Sequence, residues 1–494
     1  MPFVNRFLNW NSAIYIVLGA HFIVWFGFAL MLDVHPDMAD HWVWSRFLAG
    51  GYYEHPPGVA LTIRAATLLG GSSVLTLKLG SIIFSVLMML SCFLVGKQFF
   101  NQRSALIFVL ILETVPAFSM GSIFWSIDHP LLLFWLLALL FVGKYIKSKN
   151  LNWFFPFGVV AGLGALSKYT MILLPISLVI WCLRHKEHRR LLYHWKVYAG
   201  ALLAFLLLSP HLYWNYQNQY QALGFAVGKG LTGGYSLQSL LEFIGAQFFV
   251  FSIVYTVYFW LTFGRRLFSG RVAFVKCEDS TSFLWITGVM PTVFFTISSY
   301  FGKYTDPSWL NISYLSLFLL LAQHIDLEIF HGKAVRESLT YLLASVVNLT
   351  IAVLVILHLN LNIFAITNDD GIFKMIGWRD TSKQISQLFA EQQISVPEYV
   401  ISREYQTASA LALYMDHQPF PHSIEKLGRN QWSPVVKILE QGAVLVCPPE
   451  KCKETLRAAE ARFQRPFKFM GATALSGHKA GIRELRVYYL PGGK

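Results

Sequence analysis

From Ala13 to Met31 the chain is apolar, interrupted only by His21. That matches the roughly 20 residues a helix needs to cross a bilayer core. The run is too long for a signal-peptide core, and no small-x-small cleavage site precedes Asp33, so the helix is expected to be retained. A chain that begins this way is committed to helices, because the hydrocarbon phase offers no partner for an unpaired backbone amide.

Further runs of the same kind lie near 75–96, 104–121, 129–147, 152–168, 170–183, 197–212, 240–263, 282–299, 308–324 and 338–360, which makes about eleven transmembrane helices. Only 14% of the 494 residues are charged and 55% are hydrophobic, a balance that does not suit a soluble protein of this length. Basic residues near span ends stay cytoplasmic. Seventeen Lys and Arg, from Arg6 through Lys144 and Arg190 to Arg336, fall in one set of loops. The other set holds six: Arg46, Arg64, Lys78, Lys168, Lys229 and Lys303. The asymmetry puts the N-terminus inside and the segment after about Asn362 outside, which is periplasmic in a Gram-negative inner membrane. Much of the net charge of +13 then faces anionic lipid, and no basic stripe with interleaved aromatics points to nucleic acid.

Two domains are expected: a membrane module over 1–362, with a first outer loop at about 33–74, and a soluble α/β domain over 363–494. In the latter, Ala443–Val446 and Arg486–Leu490 alternate as strands do, and helices are expected over Asp380–Gln392 and Lys453–Phe463. Cys447 and Cys452 fall in the oxidising compartment that this topology assigns, and a bridge and two free thiols both remain open. The pieces Ala39–Leu48 and Val59–Leu69 are expected to lie amphipathically in the interface, and Tyr213–Ser236, with Gly228, Gly230, Gly233 and Gly234, to form a long outer loop.

Six separate stretches deliver ionisable groups to the outer level: Asp37 and Asp40; Glu54 and His55, after Tyr53; Asp128 and His129; Lys168 and Tyr169; His211; and Lys303 with Asp306. Such residues are costly at membrane depth, and their convergence points to a functional site. A transporter of a lipid-linked sugar would also need many spans and a polar cavity. Transporters, however, tend to carry internal repeats and charges near the bilayer midplane, and this sequence has neither.

The motifs Asp37-x-Ala-x-x-Trp42-x-Trp44-Ser45, Gly51-Tyr-Tyr-Glu-His-Pro-Pro57, Asp128-His-Pro-Leu-Leu-Leu-Phe-Trp135, Gly162-Leu-Gly-Ala-Leu-Ser-Lys-Tyr-Thr170 and Lys303-x-x-x-Pro307-x-Trp309 together resemble the membrane glycosyltransferases of the GT-C fold. Within them the chain resembles bacterial members of the dolichyl-phosphate-mannose-protein mannosyltransferase family and the aminoarabinose transferases of lipid A. The likeness covers roughly 10–325, with a weaker echo in Gly377-Trp-Arg379 and Tyr405-Gln-Thr-Ala-Ser409.

The resemblance implies inverting transfer of a sugar from a polyprenyl-phosphate donor to an acceptor on the outer face. The acceptor is lipid A or another glycolipid, with protein hydroxyls as the alternative. It implies a first-loop carboxylate as general base, and this chain offers both Asp37 and Asp40, because Met38 stands where the family usually has Glu. It implies positive charge at the leaving phosphate, for which Lys168, His55, Arg379 and Arg403 are candidates. Tyr53, Glu54, Asp128, His129, Tyr169, His211 and Lys303 are expected to line the substrate cavity. Glu54 and Asp128 match carboxylates able to hold a divalent cation such as Mg, Mn or Zn.

Overall fold

The computed structural model describes residues 10–231, 234–264, 278–302, 305–330, 334–361, 375–425, 427–430, 432–473 and 484–493. The chain divides into two compact units, one of Met1–Phe26, Glu54–Val59 and Ser81–Ala352, the other of Gly27–Tyr53, Ala60–Gly80 and Val353–Lys494.

The first unit is helical, and every apolar run read from the sequence contains a helix. Among the described residues six helices are long and apolar enough to cross a membrane alone, and eight spans result if each of two bent pairs is one span. The sequence count of eleven includes stretches that the fold shortens or breaks. Leu151–Ala165, Tyr169–Arg184 and Leu339–Ile351 are shorter apolar helices. The 104–121 run bends by 84° where Val115, extended ahead of Pro116, ends Gln102–Thr114. The 240–263 run bends by 108° at Ser252, whose φ is 115° and whose hydroxyl caps Ile253–Phe259.

Small residues set the closest helix approach. A Cβ on Gly158 would lie 2.0 Å from the Gly200 carbonyl oxygen, so Phe154–Ala165 and Trp195–Gln217 meet backbone to backbone. Two buried ionisable side chains are paired across the helices. Asp326 accepts from Asn101, Ser104 and Arg103 at 2.9–3.0 Å, and His21 meets Glu113 and Ser85 at 2.8 Å each. Tyr213–Ser236 is largely helix, not loop: Trp195–Gln217 runs through its start and Gln221–Leu231 follows.

The second unit carries five strands, β1 (Tyr399–Ser402), β2 (Phe420–Ser423), β3 (Ala443–Cys447), β4 (Lys468–Thr473) and β5 (Leu485–Leu490), in the order β2-β1-β3-β5-β4. The β1 strand pairs parallel with β2 and β3, and β5 runs antiparallel to β3 and β4. Every residue of β1 and β3 is buried, as continuous apolar runs in a covered sheet require. Their core includes Tyr399, Ile401, Leu445, Phe463 and Phe467. Cys447 ends β3 and is bonded to Cys452 in Pro449–Phe463, with Cα atoms 4.9 Å apart. The first-loop helix Pro36–Arg46 belongs to this unit and is buried at nine of its eleven positions. It is therefore packed in the interior and does not lie amphipathically, because Tyr405–Tyr414 covers it.

Candidate active site

In the second unit the first-loop acids sit on a helix whose start the sequence specifies. Pro36 takes the first helical position, where its missing N–H costs nothing. The His35 side chain caps the turn by accepting from the Asp37 amide at 3.2 Å. Asp37 and Asp40, three residues apart, share one face. That face meets the Tyr405–Tyr414 helix, whose Gln406 amide and Tyr405 hydroxyl donate to Asp37 Oδ1 at 2.7 and 3.2 Å. One turn on, the Ser409 hydroxyl donates to Asp40 Oδ1 at 3.1 Å. The Tyr405–Ser409 echo in the sequence is thus the segment that holds the acids.

Arg429, from the short turn Leu427–Arg429, donates to Asp40 Oδ2 at 2.6 Å, and its guanidinium lies 3.5 Å over the Tyr405 ring. Trp44 and Tyr53 flank it at 6.0 and 5.9 Å. Sequence reading missed Arg429, which no local motif marks and which reaches its partner across 389 residues.

Exposure separates the two acids. The Asp40 and Arg429 side chains are each 3% exposed, whereas that of Asp37 is 33% exposed. Burial pushes the Asp37 carboxyl up, but the charge of His35, the Gln406 donor and the charges of His41 and Arg429 outweigh it and hold the group below the usual carboxylate range. Asp37 is therefore an ionised, reachable carboxylate, and Asp40 is a sealed one.

Of the other predicted cations in this unit, Arg379 is exposed in the first turn of Trp378–Glu391. Arg403 is occupied by Glu425 and, at 2.6 Å, by Glu454. Those two carboxylates raise its affinity for its proton.

In the first unit the Glu54–Pro57 turn ends at Gly58, whose amide donates to the Leu166 carbonyl at 2.7 Å. A Cβ there would lie 2.6 Å from Ser167 Oγ, so only glycine lets the turn seat beside the Ser167–Lys168 bend. Glu54 and His55 are half-buried. Lys168 is buried and pairs with Asp128 at 2.7 Å, with the Trp309 ring 5.8 Å away. Asp128 opens the Asp128–Ser148 helix, and His129 Nδ1 accepts from the Ser126 amide. Tyr169 and His211 Nε2 are 2.7 Å apart, and Asn215 lies 2.9 Å from the same nitrogen. Lys303 lies outside the described residues.

A divalent cation at Asp128 would have to compete with the Lys168 ammonium. Among the described residues, Glu187, His188 and Asp279 form the one grouping of three His, Cys, Asp or Glu ligand atoms within 4.8 Å of one another.

The sequence pattern of the dolichyl-phosphate-mannose-protein mannosyltransferase family matches residues 54–214. The crystal structure of ArnT from Cupriavidus metallidurans bound to undecaprenyl phosphate superposes with a TM-score of 0.64, over 97% of this chain and 98% of that one, at 14% identity. The fold is that of ArnT. It is a GT-C fold, as the order and spacing of the outer motifs implied, and the likeness to ArnT at this identity speaks for fold alone. Among curated relatives, the lipid A galacturonosyltransferase RgtD of Rhizobium johnstonii is 27% identical over 63% of this chain and 66% of its own length. The lipopolysaccharide core galacturonosyltransferase RgtB of the same organism is 27% identical over 46% of this chain and 45% of its own. The chain thus spans less than two thirds of the length of these relatives.

Proposed function

We propose that the chain is an inverting glycosyltransferase that moves a sugar from a polyprenyl-phosphate donor to lipid A or lipopolysaccharide core on the outer face of the inner membrane, with Asp37 as general base. The observation that carries this reading is the contrast within the acid pair: Asp37 is one-third exposed and ionised, while Asp40 is sealed by Arg429.

In the proposed step the acceptor oxygen bonds to the anomeric carbon and its proton passes to the Asp37 carboxylate. The bond from that carbon to the phosphate oxygen breaks with inversion, and polyprenyl phosphate departs with the electron pair. A general base of this kind contributes about 10²–10⁴-fold.

The lipid donor is supported by the ArnT structure with undecaprenyl phosphate, and the acceptor and a galacturonosyl group by the names of the two Rhizobium relatives. The outer location is supported by the asymmetry of basic residues in the loops and by the Cys447–Cys452 bridge, a bond at home in an oxidising compartment. A protein hydroxyl is the second acceptor reading, favoured by the family pattern over 54–214.

The test compares, by mass spectrometry, lipid A and core oligosaccharide from cells with the intact gene, a deletion, and an Asp37→Asn protein confirmed in the membrane. Loss of one uronic-acid-sized increment in both altered strains is expected. An unchanged glycolipid in the deletion strain, with loss of a sugar from periplasmic proteins, would move the acceptor to protein. An increment that survives Asp37→Asn would remove Asp37 as base.

A further inference from the structure

Two carboxylates three residues apart on one helical turn lie about 5–6 Å apart at Cβ, and like charges that close disfavour double ionisation. Without compensation, the charge on one member raises the proton affinity of the other. The groups that face them come from three elements. His35 and His41 belong to the acids' own helix or its cap, Tyr405, Gln406 and Ser409 to the helix against it, and Arg429 to the turn Leu427–Arg429. Of these, only Arg429 carries a charge that is fixed at neutral pH, and it is committed to both acids: by ion pair to Asp40 at 2.6 Å, and to Asp37 through the Tyr405 ring on which it lies at 3.5 Å.

The placement of Arg429 is built into the domain. Asn430 clasps the end of β2, accepting from the Ser423 amide at 2.8 Å and donating to its carbonyl at 2.6 Å. The Trp432 indole donates to the Pro421 carbonyl at 3.0 Å and stacks on Phe47. The guanidinium is thereby delivered to the acids by the sheet itself.

We propose that Arg429 is a positioning residue of the transfer site: it cancels the charge of Asp40 and, through Tyr405, fixes the Asp37 carboxylate, so that the single net negative charge of the cluster rests on Asp37. The proposal deepens the reading of Asp37 as base and rests on it. It makes the C-terminal domain part of the catalytic apparatus, not an appendage. The Arg429 charge also acts, as the smallest of several influences, to hold the Asp37 carboxyl down.

The experiment uses the full chain in detergent micelles, with polyprenyl-phosphate galacturonic acid as donor and lipid A as acceptor, and reads kcat and KM across pH. Arg429→Gln is expected to lower kcat at neutral pH at least about tenfold, leave the donor KM within about twofold, and move the acid limb of the profile upward by about one pH unit. Arg429→Lys, which returns the charge without the planar stack, is expected to restore the limb but only part of kcat. A folded Arg429→Gln protein with unchanged kcat and an unmoved acid limb overturns the proposal. Should that variant fail to reach the membrane, Arg429→Lys decides: wild-type kcat overturns the need for the stacked guanidinium, and a reduced kcat with a normal limb supports it. Asp37→Asn run in parallel separates the two ideas, since full activity there defeats the reading of the base, whatever Arg429 does.

Discussion

The Lys168 ammonium lies 2.7 Å from Asp128 Oδ1, with the two side chains 9% and 19% exposed. The bend after Phe154–Ala165 supplies the cation and the start of Asp128–Ser148 the anion, so one ion pair ties together two helices of the first unit. Removing one partner of a pair this sheltered leaves a charge without compensation, which costs about 3 kcal/mol. Lys168→Met and Asp128→Asn are each expected to lower the melting temperature in detergent by several degrees. The double variant should recover most of that loss. A double variant as unstable as the sum of the singles would show that the two groups act independently.

Gly58 sits where a side chain has no room. Its added Cβ would meet Ser167 Oγ at 2.6 Å and the Leu166 carbonyl oxygen at 2.7 Å, and the second contact is backbone and cannot swing away. Gly58→Ala must push the Glu54–Pro57 turn off the Ser167–Lys168 bend, and overpacking of this kind costs about 1–3 kcal/mol. The expected result is a lowered melting temperature together with a raised donor KM. Wild-type values for both would mean that the turn moves freely.

The two first-loop acids should fail in different ways. Asp40→Asn leaves the Arg429 guanidinium buried without its counter-charge, a loss of about 3–5 kcal/mol, and should appear as poor thermal stability. Asp37→Asn removes a group one-third exposed to solvent, so stability should change by less than about 1 kcal/mol while transfer falls at least about 10²-fold. The Asp37 carboxyl is held below its ordinary value, so whatever stability it adds is present above about pH 4 and lost as pH falls through its folded value. The acid limb of activity is accordingly expected below about pH 4. Equal melting losses in the two variants would contradict this division of roles.

Much of the helical frame can be read from the sequence because lipid demands long apolar runs, and such runs need no tertiary context to be recognised. The breaks are less legible. Pro116 marks one bend openly, but Ser252 at φ 115° gives no compositional sign, so 240–263 reads as one straight span. In the C-terminal domain, β3 and β5 and the Trp378–Glu391 and Pro449–Phe463 helices fall close to where alternation and helical period put them. The β1 and β2 strands are four residues each, too short to show a period, and escaped notice. The candidate site divides in the same way. Asp37 and Lys168 stand in motifs, whereas Arg429 is defined only by what the fold brings to it. Arg403, an equally plausible cation by sequence, is taken up by Glu425 and Glu454. Pairings across hundreds of residues leave no local pattern.

The domain that delivers Arg429 should itself be sensitive to acid through His422. This side chain is buried in β2, and its Nδ1 lies 3.1 Å from the Ser433 carbonyl, which accepts from a protonated Nδ1, and 2.9 Å from the Ser433 hydroxyl. Nε2 faces the Asn430 amide at 3.4 Å, a donor, which leaves no acceptor for a second proton. Burial, with the Arg462 charge adding to it against the Ser433 bond, pushes the imidazole down to about 4. Between that value and the ordinary one of about 6.5 the unfolded chain binds more protons than the folded one, so stability rises with pH across this window and is lost on acidification. The full span corresponds to about 3 kcal/mol. Melting curves of the wild type should therefore fall steadily from about pH 6.5 to about pH 4, and the slope should flatten in His422→Gln, which cannot titrate. A wild-type melting temperature that does not change between those pH values would show that His422 is not held neutral by the fold.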